Sequence, residues 1–114
     1  MELDRGLIGG STVLLLLSLL HRKDMYGYEI IRELELLSGS VFSFKEGTLY
    51  PVLHRMENGN LVKSYQKEAE NGKKRKYYAI TPQGERRLAQ ERETWKVFSA
   101  SVDRVIGGER HACV

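Results

Sequence analysis

The sequence predicts a mainly α fold with one small β-hairpin, and three observations predict it. Apolar residues recur at helical spacing in three separate stretches before residue 60. Two segments rich in Val, Tyr, Ile and Thr then flank the turn signal Glu70-Asn71-Gly72. Finally, Thr81-Pro82 opens a helical stretch in which Leu88, Trp95 and Val102 stand seven apart. A length of 114 residues accommodates one core and leaves no room for a second.

The first helix is expected through Leu14–Leu20, with Ser11 as N-cap after Gly9-Gly10, a pair that disfavours helix. The apolar run Val13–Leu20 is interrupted by Ser18 and is far short of the roughly 20 apolar residues that cross a bilayer. His21-Arg22-Lys23-Asp24 follows at once where a secretory cleavage site would need small residues. The run therefore predicts a helix buried nearly all round and no membrane span. His21 is expected at its exposed end, opposing the negative end of the helix dipole.

The second helix is expected to start at Asp24 as N-cap and to bury Tyr28, Ile31, Leu34 and Leu37, with Glu29, Arg32, Glu33 and Glu35 outside. Ser38-Gly39-Ser40 stops it. A third helix is expected from about Glu46 to just before Gly59, with Leu49, Leu53 and Met56 inward and Asn58-Gly59-Asn60 as its C-terminal turn. Pro51 cannot donate to a carbonyl one turn back, a cost reduced close to the first turn. Strands are expected over 61–67 and 75–81. The last helix carries Leu88, Trp95, Phe98, Val102 and Val105 at a/d-like spacing, with Glu91 interrupting one layer. Gly107-Gly108 ends it, and a frayed tail over 108–114 is expected.

Charge is distributed unevenly over these elements. The chain carries a net +3. Between Ser43 and Ile80, eight Lys/Arg against four Glu leave +4, and the remainder is −1. The whole basic excess thus lies in the middle third, as expected of a domain with one phosphate-facing side. The one cysteine, Cys113, has no intrachain partner, which favours a reducing cytoplasm. His111 and Cys113 fall short of the four ligands of a structural zinc site, so no metal or cofactor is expected. No Gly-rich phosphate loop and no nucleophile–base set argues for an enzyme.

Helix, helix, helix, hairpin, helix is the winged helix-turn-helix order, whose third helix and hairpin are the elements offered to DNA. Three strings carry a closer likeness: Tyr26-Gly27-Tyr28-Glu29-Ile30, Gly47-Thr48-Leu49-Tyr50-Pro51-Val52-Leu53, and Lys74-Arg75-Lys76-Tyr77-Tyr78-Ala79-Ile80-Thr81 leading into Gly84. In this order and at these separations they resemble the PadR family of bacterial regulators, over about Leu14 to Val105. The single C-terminal helix is similar to the short subclass that includes multidrug-sensing members. The resemblance implies a homodimeric repressor of double-stranded DNA with a roughly palindromic operator. Its third helix would enter the major groove, and its first and last helices would build the dimer. The chain then divides into a DNA-binding domain over 1–81, a dimerisation helix over 82–107 and the tail.

Candidate DNA contacts on the third helix are Lys45, Thr48, Tyr50, His54 and Arg55, off the apolar stripe, with Arg55 or His54 suited to guanine edges and Thr48 and Tyr50 to phosphate oxygens. On the wing they are Lys73, Lys74, Arg75 and Lys76. Leu88, Trp95, Phe98, Val102 and Val105 are the candidate dimer residues. Two roles stay open for Trp95: packing in the dimer core, or, as the resemblance implies, stacking a small planar aromatic effector. By the same resemblance Leu7, Leu14, Ser18 and Ser99 would line that pocket. The alternative reading is a winged-helix protein-interaction module that does not read DNA, against which the concentrated positive charge argues.

Overall fold

The computed structural model describes residues 10–107. The expectations for Leu7, Gly9, His111, Cys113 and the tail over 108–114 lie outside them. In chain order the elements are α1 (Thr12–Arg22), β1 (Met25–Tyr26), α2 (Gly27–Leu37), α3 (Glu46–Asn58), β2 (Val62–Glu68), β3 (Lys74–Ile80) and α4 (Pro82–Ile106). The strands form one antiparallel sheet in the order β1-β3-β2. Both long strands lie within a residue of their expected positions, because the Tyr/Val/Ile content and the 70–72 turn fix them locally.

The core gathers one stripe from each helix and one face of the sheet. Leu16, Leu17, Leu19 and Leu20 of α1 meet Ile30 and Leu34 of α2, Leu49, Leu53 and Met56 of α3, Val62 and Tyr78 of the sheet, and Leu88 of α4. Each such aliphatic side chain contributes about 1.5–3 kcal/mol relative to an exposed one. The expected inner stripe of α3 is therefore correct. Pro51 sits in the sixth position of α3, on its exposed side.

Two expectations for α2 are corrected. Its N-cap position is Tyr26, not Asp24, whose carboxylate instead accepts a hydrogen bond from Tyr65 at 2.5 Å. Its buried stripe is Gly27, Ile30 and Leu34, while Tyr28 is 51% exposed and Leu37 53%. The helix starts later because Met25 and Tyr26 pair with Tyr78 and Tyr77 as a third strand, which sequence periodicity cannot see in two residues.

Both helix–turn junctions close by Schellman geometry. After α3, Asn60 takes the left-handed conformation (φ 62°), and the Leu61 amide donates to the Met56 carbonyl at 2.9 Å. After α2, Gly39 does the same (φ 62°), with the Ser40 amide on the Glu35 carbonyl. At the start of α4, Thr81 Oγ1 accepts from the Gly84 amide at 2.9 Å and Pro82 takes the first helical position, as expected. His21, at the end of α1, pairs through Nδ1 with Glu85 at 2.8 Å and so ties α1 to the first turn of α4.

Candidate nucleic-acid interface

Helical spacing fixes what α3 presents. With Leu49, Leu53 and Met56 buried, Gly47, Pro51, His54 and Asn58 (i, i+4, i+7, i+11) form its outermost line, all exposed. Thr48 and Arg55 are exposed on one flank, where Arg55 borders a shallow cleft that also holds Val13, Gln83 and Arg87. Tyr50 and Glu57 lie on the other flank, beside the sheet. Glu57 accepts a hydrogen bond from Ser64 of β2 and stands 3.8 Å from Lys76 Nζ of β3. Lys45, in the N-cap position, is exposed and leaves the first turn without a side-chain cap.

The wing is a seven-residue by seven-residue ladder running from Val62↔Ile80 to Glu68↔Lys74. Its tip closes with the Ala69 amide on the Lys73 carbonyl at 2.7 Å, and Gly72 takes φ 80°, a conformation that favours glycine. Lys73, Lys74 and Lys76 are exposed. Arg75 behaves differently: it is half-buried, with its guanidinium 4.6 Å from the centre of the Tyr26 ring. Tyr50 is 41% exposed but leans on α2. Its ring lies against Gly27, and burial pushes the phenol pKa up from its usual value.

Strand alternation collects a row that sequence reasoning did not single out. Tyr26, Tyr77 and Tyr65 stand side by side across the three strands. Tyr26 meets Tyr77 edge-on at 5.4 Å, Tyr65 stacks on Tyr77 at 5.8 Å, and Lys67 lies 5.5 Å above the Tyr77 ring. The period-two pattern of β2 and β3 could have placed Tyr65 opposite Tyr77. Nothing local indicated Tyr26, because its strand exists only through pairing with β3.

A second region lies on α4. A cleft of about 360 Å³ is lined by Gly10, Ser11, Leu14, Glu91, Thr94, Trp95 and Phe98. The structure thus brings Leu14 and Trp95 together with Phe98, whose ring centre is 5.9 Å from that of Trp95. Ser18 and Ser99 do not line it: Ser18 Oγ donates to the Leu14 carbonyl, and Ser99 Oγ to that of Lys96. Of the candidate dimer residues, Leu88 is 1% exposed and packs within the core of its own chain. Val102 is half-buried, while Trp95, Phe98 and Val105 are 46%, 53% and 83% exposed. Among the described residues no helix is long and apolar enough to cross a membrane.

Three helices followed by a wing with exposed lysines define a winged helix-turn-helix transcription regulator. Residues 16–90 match the transcriptional regulator PadR-like family, and the chain belongs to it. It is similar to a PadR-like transcriptional regulator of Bacillus cereus (30% identity, TM-score 0.82), over 91% of this chain and 99% of that one. A transcriptional regulator from Clostridium thermocellum shows 33% identity and a TM-score of 0.81, over 89% and 98%. A transcriptional regulator of Mycobacterium tuberculosis is 35% identical over 75 residues, 66% of each chain.

Proposed function

We propose that this chain is a homodimeric repressor that grips a roughly palindromic operator and is released when a planar aromatic molecule enters the cleft beside Trp95. The observation that carries the reading is the apolar stripe of α4 that no described residue covers beyond Leu88: Trp95, Phe98, Val105 and Ile106. A stripe of this kind on one long helix matches a second copy of itself, since a twofold interface brings the same patch to both sides. A dimer built on α4 would carry two copies of α3 to successive major grooves, about 34 Å apart.

On DNA, Thr48, His54 and Arg55 face base edges from the exposed side of α3. Lys45, Lys73, Lys74 and Lys76 neutralise phosphates, a sequence-independent term that positions the protein without specifying the site. A flat ligand between Leu14, Trp95 and Phe98 lies against both α1 and α4. By favouring one arrangement of the two chains over another, it would shift the spacing of the two α3 helices.

Selection of duplexes from a random pool tests this directly. The expected product is two inverted half-sites with centres about 10 base pairs apart, bound by two chains. Enrichment of a single asymmetric site bound by one chain contradicts the dimer. Quenching of Trp95 fluorescence by a planar aromatic compound, with matching loss of operator affinity, supports the effector. No quenching across a broad panel removes that part.

A further inference from the structure

Two adjacent residues touch both DNA-facing elements. Tyr26 ends β1 and Gly27 starts α2. The Tyr26 ring packs on Tyr77 of the wing and carries the Arg75 guanidinium over its face. Tyr65, stacked on Tyr77, is tied back by its hydroxyl to Asp24, two residues before Tyr26, and this bond pushes its phenol up to about 12. At Gly27 a Cβ would overlap the Tyr50 hydroxyl and stand 2.7 Å from the ring carbon that bears it. The buried glycine is thus the seat of the Tyr50 ring. Glu57 holds the C-terminal end of α3 to the sheet through Ser64 and Lys76. The seat at Gly27 holds the N-terminal half.

We propose that Tyr26 and Gly27 form a joint that fixes the wing relative to α3, and that Arg75 and Tyr50 serve DNA binding as positioning residues through this joint, not as phosphate contacts. The inference rests on the reading that α3 and the wing meet DNA. Its chemistry separates Arg75 from its neighbours. A planar guanidinium stacks on an aromatic face in a way that a lysine ammonium does not reproduce, whereas a phosphate accepts either cation. Lys73 and Lys74, by contrast, stand exposed at the tip of the wing.

The test uses the full chain and the labelled duplex enriched from the random pool, titrated at several KCl concentrations. Arg75→Ala and Arg75→Lys are expected to weaken binding equally, by about three- to tenfold, with the wild-type salt slope. Tyr26→Leu is expected to match them, and the double variant Tyr26→Leu with Arg75→Ala to be no weaker than either alone, because the two act as one unit. Gly27→Ala should displace the Tyr50 ring, which can swing away, so that affinity falls while the melting temperature changes little. Tyr50→Phe should bind as wild type.

Several results overturn the joint. One is Arg75→Ala flattening the slope by about 0.9 or more with Arg75→Lys restoring it, which makes Arg75 a phosphate contact. Others are additive losses in the Tyr26/Arg75 pair and a large loss in Tyr50→Phe. If Gly27→Ala does not fold, the Tyr26/Arg75 pair decides the question. Failure of the wild-type chain to bind any duplex at low salt overturns the DNA reading and the joint with it, and is distinct from all of these.

Discussion

The two ends of this molecule differ in how completely they are closed. From Thr12 to Leu88 the helices and sheet bury a continuous core, with Leu16, Leu17, Ile30, Leu49 and Leu53 fully enclosed. Beyond Leu88 no described residue of α4 is buried, although the helix continues for 18 residues with Trp95, Val97, Phe98, Val105 and Ile106 along it. The same helix therefore does two jobs. Its first turns complete the core of one chain, and its remainder carries apolar surface that no described residue covers.

The largest effect expected from breaking this contrast comes at the open end. Phe98→Glu with Val105→Glu places charge on the exposed stripe and should leave the core of each chain intact. Sedimentation should then show a single-chain species, and operator affinity should fall by about 10²–10⁴, the gain ordinarily forfeited when two linked sites act separately. A double variant that still sediments as a dimer would place the interface elsewhere.

Substitution at the closed end reads differently. Leu88→Ala should cost about 2–5 kcal/mol in folding stability, as truncation of a core leucine does, when followed by denaturant unfolding. Val105→Ala should leave the unfolding of a dissociated chain almost unchanged. Equal costs at the two positions would erase the distinction.

A smaller and opposite effect is expected at Gly47. It lies on the outer line of α3 with nothing within 4 Å of where a Cβ would stand, so the chain's own packing does not require glycine there. Gly47→Ala should stabilise the fold by up to about 1 kcal/mol through helix propensity. On the proposed reading, in which the outer line of α3 faces the duplex, it should also weaken DNA binding. A variant that is more stable and binds as wild type would show that this line of α3 does not approach DNA.

How much of this was legible in the sequence depended on how local each feature is. The Leu49–Leu53–Met56 stripe, the Thr81-Pro82 start of α4 and the wing ladder are set by neighbours in the chain, and the sequence showed them. The phase of α2 was misread because its buried line begins with Gly27, which has no side chain for a periodicity search to find. Tyr28, Ile31, Leu34 and Leu37 offered a second apolar line in the same helix. Asp24 looks like an N-cap by type and position, yet its partner Tyr65 is 41 residues away. Leu88 belongs to the same a/d series as Trp95, and only the packing of α4 on α1 shows that the series passes from core to open surface between them. The seating of Arg75 on Tyr26 depends likewise on β1, a strand that exists only by pairing with β3, and that of Tyr50 on Gly27, which follows it directly.

The basic wing and the exposed side of α3 are held to form one DNA-binding face, and salt dependence tests this most directly. Duplex binding is measured for the wild-type chain and for Lys73→Ala with Lys74→Ala over a range of KCl concentrations. The expected result is a linear fall of log K with log salt that flattens in the variant by about 0.9 for each phosphate no longer neutralised, with weakening on all sequences alike. An unchanged slope in the variant, or no binding by the wild type at low salt, would contradict it.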